Sequence, residues 1–396
     1  MVKPAQRAQA AEPFYAMAVS QRAAELEAAG HDVVKLSLGE PDFGAPQAVR
    51  DAMVTAMDGR PLPYTSAFGS TELRSAIAGF YHDRHGVQID PARIAVTSGA
   101  SAALLLATAA TVDPGHDVIL ADPSYPCNRA MIETFGGRAI AVPTSAATRF
   151  QLDRAAVVGA WTDSVAAVMI ATPSNPTGTS MPAAELEAVC ALARERDVWR
   201  IVDEIYLDLA DPTESGPARS VLTTDSDAIV IGSFSKYFGM TGWRLGWCVL
   251  PESLVPVVER LAQNYFICAS APAQVAALAC FTDDTLAVCE ARRLEFAARR
   301  RLVVDGLSLL SLPVSSEPDG AFYAYFDVSG TGLGSWEFCR RALEDAHVAL
   351  TPGRDFGTHT AETHVRLSYA ASREQLTEGL LRLGRLLESL RERRPA

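Results

Sequence analysis

The stretch RIAVTSGASAALLLATAATV (residues 93–112) joins a short apolar run to a longer one through the small residues SGAS. The first run has the length and composition of a buried strand, and the second is long enough for a helix. The same order recurs where DVILADPSYP leads into NRAMIETFGG and AAVMIATPSNPTG leads into PAAELEAVCALARERD. WRIVDEIY, AIVIGSFSK and RLGWCVLP follow as short buried strands. This alternation predicts an α/β fold with a mostly parallel central sheet flanked by helices.

A change of pattern indicates a second, smaller unit. A long helical stretch covers about residues 283–311, and AFYAYFDVS, SWEFCRRALEDAH, VALTP, HVRLSYA and a last helix follow it. Mixed strands and helices of this kind are typical of an α+β unit. We therefore predict a large domain at 46–285 and a small domain built from 1–45 and 286–396.

Charge and cysteine content narrow the possible partners and location. The 396 residues carry a net charge of −12 with no basic stripe, which disfavours nucleic acid or an anionic membrane as a partner. Seven Cys without a CxxC pair favour a reducing cytoplasm. The segment MVKPAQRAQAAEPF lacks the apolar region of a signal peptide, and no run of 18 apolar residues occurs. We expect a cytoplasmic protein.

One motif imitates a dinucleotide-binding fingerprint. GTGLGS (residues 330–335) follows a predicted strand and precedes a predicted helix, but Ser335 stands where the third glycine is needed. No βαβ pattern surrounds it. We therefore do not expect a dinucleotide site.

A lysine at 236 contrasts with the rest of the composition. Only three of the 35 basic residues are Lys, and Lys236 alone follows a buried strand, in SFSK. A desolvated lysine amine can lose its proton and attack a carbonyl, whereas arginine stays protonated. Lys236 is therefore either a nucleophile or a structural lysine at a strand end, and the neighbouring motifs have to decide between the two.

Other predicted strand ends carry complementary groups. SGAS offers backbone N–H groups at a helix start, where phosphate binds readily. Tyr125 offers an aromatic face, Asn175 an amide, and Asp203 a carboxylate that needs a partner if it is buried. A phosphate cradle, an aromatic plane, an amide, a carboxylate and an amine are what a pyridoxal 5'-phosphate site requires.

The motifs together resemble those of class I/II aminotransferases of the aspartate aminotransferase superfamily, fold type I. SLGEPDF, Tyr64, SGAS, PSYP, SNPTG, DEIY, SFSK with Arg244 eight residues on, and HVRLSYA occur in the order of that family over nearly the whole chain. The resemblance implies pyridoxal phosphate as cofactor. It also implies ping-pong transfer of an amino group from an L-amino acid to a 2-oxo acid, with 2-oxoglutarate the expected acceptor.

By this resemblance five residues surround the cofactor ring. Lys236 is the Schiff-base lysine and the catalytic acid/base, and Asp203 pairs with the pyridinium nitrogen. Asn175 and Tyr206 hydrogen-bond the ring hydroxyl, and Tyr125 stacks on the ring. These roles are implications of the resemblance to the family.

The resemblance gives the phosphate and the substrate their own partners. The phosphate partners are the backbone of Gly99, Ala100 and Ser101, with Ser233 and Arg244. Ser235 either contacts the phosphate or only turns the chain. Tyr64 either reaches the phosphate of a second subunit, in a homodimer with shared active sites, or is a core residue. Arg366 either grips the substrate α-carboxylate, helped by Gly39 and Asn175, or is a surface strand residue.

Two departures from the family concern the donor. Dicarboxylate-specific members carry an extra basic residue, in one subgroup an Arg shortly before a segment like NYFICASAP and in another a Lys in the phosphate turn. This chain has Ala262 and Ser101 at about those places. We therefore expect a neutral or broader donor range than strict aspartate specificity.

Two alternatives stay open at this point. A lyase, a decarboxylase or a cyclising synthase on the same fold keeps every residue named above, and would form product without a 2-oxo acid co-substrate. The ligand-binding half of a bacterial transcription regulator needs a DNA-binding domain ahead of it. Only about 35 residues precede SLGEPDF and they are not basic, so we do not expect a regulator.

Overall fold

The computed structural model describes residues 2–9, 14–212 and 218–392. Within these ranges the α-helices are α1 (Gln6–Gln9), α2 (Tyr15–Ala28), α3 (Gln47–Ala56), α4 (Thr71–His85), α5 (Ala100–Thr111), α6 (Pro126–Thr134), α7 (Arg154–Gly159), α8 (Ala183–Glu195), α9 (Val255–Tyr265), α10 (Ala271–Ala277), α11 (Asp283–Leu309), α12 (Ser335–Ala346) and α13 (Arg373–Glu392). The strands are β1 (Val34–Lys35), β2 (Ile94–Thr97), β3 (Asp117–Asp122), β4 (Arg138–Pro143), β5 (Val165–Ala171), β6 (Trp199–Asp203), β7 (Ile229–Ser233), β8 (Gly246–Val249), β9 (Tyr323–Asp327), β10 (Val348–Ala349), β11 (Thr351–Pro352) and β12 (His364–Ser368).

The central sheet confirms the predicted α/β class. Its seven strands have the order β2-β8-β7-β6-β5-β3-β4. Strand β8 runs antiparallel to β2 and β7, and the remaining pairs are parallel. Helices cover both faces, so strands such as β7 and β8 are buried along their whole length.

Alternate residues of the strands pack into two apolar layers, one on each side of the sheet. Ile201 and Ile231 pack on one side of the sheet, whereas Val202 and Val230 join the larger core on the other. This two-residue period leaves the polar motifs at the carboxyl ends of the strands. SGAS, PSYP, SNPTG, DEIY and SFSK therefore meet along one edge of the sheet, where open α/β sheets bind ligands.

The two ends of the chain share the second group of strands. Strand β1 pairs in parallel with β10, and β11, β12 and β9 form an antiparallel sheet. Helix α11 occupies the predicted long helical stretch. The pairing of β1 with β10 brings an N-terminal segment into the C-terminal unit, and the domain limits given above stay a prediction.

The described part of the chain also yields three general findings. No helix in it is both long enough and apolar enough to cross a membrane. It contains no group of three or more His, Cys, Asp or Glu side chains placed to hold a metal ion. All seven cysteines carry free thiols, so this fold is held by packing and hydrogen bonds without disulfide cross-links.

Candidate active site

The strand ends face a cavity of about 280 Å³. Most of the residues singled out from the sequence line it, namely Gly39, Ala100, Ser101, Tyr125, Asn175, Asp203, Tyr206, Ser233, Ser235, Lys236, Arg244 and Arg366. Gly99 lies directly before α5, behind this lining. Tyr64 is 78% exposed and does not line the cavity. The structure thus gathers twelve of the fourteen predicted residues around one space.

The Lys236 amine is buried at the end of β7 and points into the cavity. Its Nζ donates a hydrogen bond to the Gly39 carbonyl at 2.7 Å. Burial lowers the pKa of Lys236 to about 8, and the positive charges of Arg366 and Arg244 add to this against an opposing effect of Glu40. The amine therefore reaches its neutral, nucleophilic form far more readily than an exposed lysine.

Asp203 ends β6 as a buried carboxylate with few partners. Its Oδ1 accepts a hydrogen bond from the Ile205 N–H at 3.1 Å. Burial raises the pKa of Asp203 to about 6, which that hydrogen bond and the charge of Lys236 partly offset. A protonated ring nitrogen facing this carboxylate would supply the positive charge that it lacks.

Arg366 and Asn175 come together from β12 and the turn after β5. Arg366 Nη1 donates to Asn175 Oδ1 at 2.8 Å, and Nη2 donates to the Ser37 carbonyl at 2.6 Å. The guanidinium lies over the rings of Tyr323 and Phe356, at 4.5 and 4.9 Å from their centroids. Its Nε is buried and has no hydrogen-bond partner among the described residues. Arg366 is therefore a buried cation with an unused donor, and not a surface residue.

The SGAS turn and Arg244 build a cradle with space for an anion. Gly99 has φ +82° at the start of α5, and a Cβ there would lie 2.5 Å from Arg244 Nη2. The positive φ therefore favours glycine, and a side chain there would also displace the end of the Arg244 side chain. Ser233 Oγ accepts from the Ser235 N–H at 3.0 Å, which leaves the Ser233 hydroxyl proton free to donate.

Comparison with known proteins decides the family. The sequence model of Aminotransferase class I and II matches residues 31–383. The chain belongs to this family. The protein is an aminotransferase, and like the rest of its family it depends on pyridoxal phosphate.

Similar aminotransferases span the whole chain. The valine–pyruvate aminotransferase of Mycobacterium tuberculosis is 39% identical, over 95% of this chain and 97% of that protein. The aspartate/prephenate aminotransferase of Thermus thermophilus is 34% identical, over 96% of this chain and 98% of its own. A crystal structure of an aminotransferase from Mycobacterium tuberculosis superimposes with a TM-score of 0.94 at 38% identity, covering 98% of this chain and 100% of that one. The agreement extends to the full architecture and is not confined to the sheet.

The residues of this aminotransferase fit its cofactor. Asp203 is a buried carboxylate short of a cation, and Arg366 has an unused buried Nε. The first turn of α5 lines the cavity beside Arg244, so free N–H groups and a guanidinium face the same space. A ring with a basic nitrogen, a phosphate and a carboxylate-bearing substrate complement these three features.

Several residues around the cavity of the aminotransferase were missed from the sequence, among them Tyr323, Ser37, Phe14 and Met17. Tyr323 on β9 meets the Tyr206 hydroxyl at 2.8 Å, and Ser37 accepts from Arg366. Phe14 and Met17, at the start of α2, line the cavity from the N-terminal side. Apolar and aromatic residues of this kind carry no signal that separates a cavity wall from a core, so only the tertiary structure reveals them.

Ala262 has a different position from the one that the sequence suggested. It is 4% exposed within α9 and packs in the core beside the sheet, away from the cavity lining. Its identity therefore says nothing about the walls of this cavity. Ser101 does line the cavity, so the absence of a lysine at that position still argues against strict aspartate specificity.

Proposed function

We propose that the protein transfers the amino group of a neutral L-amino acid to a 2-oxo acid by a ping-pong mechanism in which Lys236 is the Schiff-base lysine. The observation that carries the proposal is the Lys236 amine, which has a lowered pKa and lines the same small cavity as Arg366. A buried nucleophilic amine beside a buried carboxylate-binding guanidinium suits covalent chemistry on an amino acid.

Several groups would hold the cofactor. When bound, pyridoxal phosphate supplies an aldehyde that receives the amino group and a ring that withdraws electrons from the substrate Cα. Asp203 would keep the ring nitrogen protonated, and Tyr125 would stack on the ring. Asn175 and Tyr206 would hydrogen-bond the ring hydroxyl. The phosphate would be bound by the backbone of Gly99, Ala100 and Ser101, by Ser233 and Ser235, and by Arg244.

Substrate orientation would depend on Arg366. Arg366 and Gly39 both line the cavity in which an α-carboxylate would bind, and Asn175 already holds the guanidinium in place. Lys236 lines the same cavity, so its amine, once released from the Gly39 carbonyl, would accept the proton from the substrate Cα and return it later in the reaction. Burial serves this step because it keeps a fraction of the amine neutral near pH 8.

The walls of the cavity favour an uncharged donor side chain. The basic side chains among its lining residues are Lys236, Arg244 and Arg366, and each already has a role in the proposal. Phe14, Met17 and Leu38 add apolar surface instead of a further cation. The similar protein from Mycobacterium tuberculosis is named for valine, which is consistent with this choice.

The acceptor is the other substrate of the proposed reaction. 2-Oxoglutarate is the acceptor expected from the family, and it would need an additional cation for its second carboxylate. Pyruvate is the second candidate, because it needs only the Arg366 contact and because the same relative is named for it. A lyase, decarboxylase or cyclising activity would release product without either acid.

A panel of half-reactions tests the donor and the reaction class together. Purified holoenzyme is mixed with alanine, valine, leucine, aspartate or glutamate, and the cofactor absorbance and the 2-oxo acid are followed. We expect a neutral donor to react at least as fast as aspartate, with turnover requiring an added 2-oxo acid. Strong preference for aspartate over every neutral amino acid would contradict the donor, and steady product formation without an acceptor would contradict the reaction class.

A homodimer with shared sites is also part of the proposal. Large apolar side chains are exposed in two segments that meet where α3 contacts α10, among them Met57, Tyr64, Tyr265 and Ile267. Beside them lies an open depression of about 680 Å³ that includes Phe43 and Trp243. Exposed apolar patches of this kind mark interaction surfaces. A second copy would cover them and bring its Tyr64 toward the phosphate site.

Tyr64→Phe tests the shared site. Loss of a hydrogen bond to a charged phosphate should weaken cofactor retention by about 1–3 kcal/mol, as measured by equilibrium dialysis of the holoenzyme. Tyr265→Phe, in the same exposed apolar region, is the control and should leave retention unchanged. A fully active monomer by size-exclusion chromatography would contradict the dimer. The cytoplasmic location is proposed from the cysteine pattern alone.

A further inference from the structure

The first turn of α2 is capped from the far end of the chain. Phe14 occupies the N-cap position, where its side chain cannot accept a hydrogen bond. Asp355 supplies the missing cap instead. Its Oδ1 accepts a hydrogen bond from the Tyr15 N–H and its Oδ2 accepts one from the Ala16 N–H, both at 2.7 Å. The carboxylate is 7% exposed and faces the positive end of the helix. One buried side chain therefore satisfies two backbone donors that the helix leaves free.

Two aromatic contacts fix the same turn on either side. The Phe14 ring meets the Tyr125 ring edge-on, with centroids 6.5 Å apart. The Tyr15 ring meets Trp336 of α12 in the same manner at 5.5 Å. The start of α2 is thus held between the proposed cofactor-stacking residue and the C-terminal unit.

The fixed turn forms the apolar side of the cavity. Phe14, Ala16 and Met17 line it together with Leu38. Met17 is still 63% exposed, so it lies at the mouth, where a bound side chain would cover it. Asp355 is followed by Phe356, whose ring lies against the Arg366 guanidinium. The helix cap and the carboxylate-binding arginine are therefore connected through adjacent residues.

We propose that Asp355 is a positioning residue that fixes the start of α2 over the substrate, so that Phe14 and Met17 select the size of the donor side chain. The inference rests on the proposed function, since it assumes a neutral amino acid in this cavity. Alanine carries only a methyl group near Cα and does not extend to Met17 at the mouth. Valine and leucine extend further and gain apolar contact there.

Asp355→Ala and Met17→Ala in the holoenzyme test the two halves of this proposal. Hydrogen exchange of the Tyr15 and Ala16 amides, measured by mass spectrometry, reports the cap independently of activity. Asp355→Ala should speed this exchange by about tenfold or more, as expected for the loss of charge-assisted hydrogen bonds. Met17→Ala should leave the exchange unchanged, because its side chain takes no part in the cap.

Donor selection is measured as the ratio of kcat/KM for leucine to that for alanine. Both variants should lower this ratio by about tenfold, the lower end of the usual effect of one methylene contact, mainly through the KM for leucine. Glu362→Gln is the matched control, because it removes a carboxylate that binds Arg354 in the same turn without touching α2. It should change neither the exchange nor the ratio.

The amide exchange tests the helix cap, and the leucine-to-alanine ratio tests the donor selection. Unchanged amide exchange in Asp355→Ala would overturn the cap, and a ratio that does not fall in either variant would overturn the selection. A wild-type enzyme that prefers aspartate would contradict the proposed donor, yet the exchange result would still decide the role of Asp355. Met17 is exposed, so its truncation keeps the test informative even where Asp355→Ala folds poorly.

Discussion

Two sets of buried and half-buried polar residues lie next to each other where β6 and β7 end. On the front, Asp203 and Lys236 face the cavity with few partners. On the rear, the residues that directly follow these two, Glu204 and Tyr237, are buried and do not line the cavity. A single step along the chain thus separates two different environments.

The rear set is a closed cluster of Arg84, His85, Asp208, Tyr237 and Glu290. Arg84 binds Asp208 at 2.6 Å and Glu290 at 2.7 Å, and the Tyr237 hydroxyl donates to the same Glu290 oxygen at 2.7 Å. The Arg84 guanidinium also lies 4.9 Å from the centre of the Tyr237 ring. These charges compensate one another, and the pKa of Asp208 is lowered by His85 and Arg84 despite its burial.

The two sets differ in whether their charged groups pair with one another. Paired groups stabilise the fold, whereas unpaired groups at a cavity are available to bind a ligand. Buried ions are costly unless they are paired, so a paired cluster serves structure. The front groups keep pKa values displaced by burial, at about 6 for Asp203 and about 8 for Lys236. Glu204, behind the cavity and outside the paired cluster, also has a pKa raised by burial, to about 7. It is therefore the position at the cavity together with the shifted pKa that marks Asp203 and Lys236 as functional. Substitutions on the two sides should therefore differ in kind, by changing activity at the front and stability at the rear.

The largest effect is expected from Lys236→Arg. A guanidinium can neither form the covalent link to the cofactor nor exchange the proton, so transamination should fall by at least about a thousandfold. Borohydride treatment of the wild type should attach the cofactor to the peptide that contains Lys236. Lys35→Arg, in an exposed ion pair with Glu27, is the control and should keep full activity. Label found only at Lys3 or Lys35 would refute the assignment.

Asp203→Asn should have the next largest effect and separates neighbouring carboxylates. Without this charge the ring nitrogen of the bound cofactor would lose its proton. The ring would then stabilise the negative charge that develops at the substrate Cα less well, so kcat should fall by about a hundredfold or more. Glu204→Gln is equally buried and should reduce kcat less than threefold. Steady-state kinetics with the best neutral donor measures both. Equal losses in the two variants would remove the distinction between front and rear.

Glu204 should also make stability depend on pH. Burial raises its pKa to about 7 from an ordinary value of 4.5, although it accepts a hydrogen bond from the Val221 N–H at 2.6 Å. The folded state therefore binds the proton more tightly than the unfolded chain. Glu204 thus adds about 1–3 kcal/mol to the free energy of unfolding below about pH 4.5, and this contribution is lost as the pH rises through about 7.

The measurement compares urea unfolding of the wild type and Glu204→Gln at pH 5 and pH 8. Asp203 and His85 also have raised pKa values and contribute in the same direction, so only the difference between the two proteins isolates Glu204. We expect the drop in the free energy of unfolding to be smaller in Glu204→Gln. Identical drops would assign the pH dependence to other groups.

The smallest effect is expected from Tyr237→Phe. It removes the hydrogen bond to Glu290 and keeps the ring against Arg84, so unfolding should become easier by about 1 kcal/mol. Activity should stay within about threefold of the wild type, because Tyr237 does not line the cavity. Thermal unfolding and kcat of the same preparation check both statements. A large loss of kcat with unchanged stability would show that the rear cluster controls Lys236 directly.

What the sequence predicted correctly is local. A buried strand with a polar residue at or just after its end predicts that Asp203 and Lys236 lie together, because the carboxyl ends of parallel strands meet at one edge, and both do line one cavity. The phosphate turn is equally local, since Gly99 and α5 follow β2 directly. These features depend only on the two-residue period of the strands and on the turns that end them.

What the sequence did not predict depends on the packing of distant segments. Tyr323 approaches Tyr206 from another sheet, and Asp355 caps a helix 340 residues earlier in the chain. Ala262 was interpreted by its distance from a motif, but α9 turns it into the core. Hydrophobic periodicity indicates that a face is buried without indicating which partner covers it.

The contact between Arg366 and the Ser37 carbonyl spans 329 residues, and it has a consequence for synthesis of the protein. The strands of the central sheet all precede residue 250, so the sheet can assemble while the C-terminal unit is still being translated. The carboxylate-binding site cannot form until β12 has left the ribosome and closed this very long loop. A nascent chain should therefore reach its sheet structure well before it can hold a substrate, and a stop codon shortly before His364 should produce a chain with the lysine but without the grip on the amino acid.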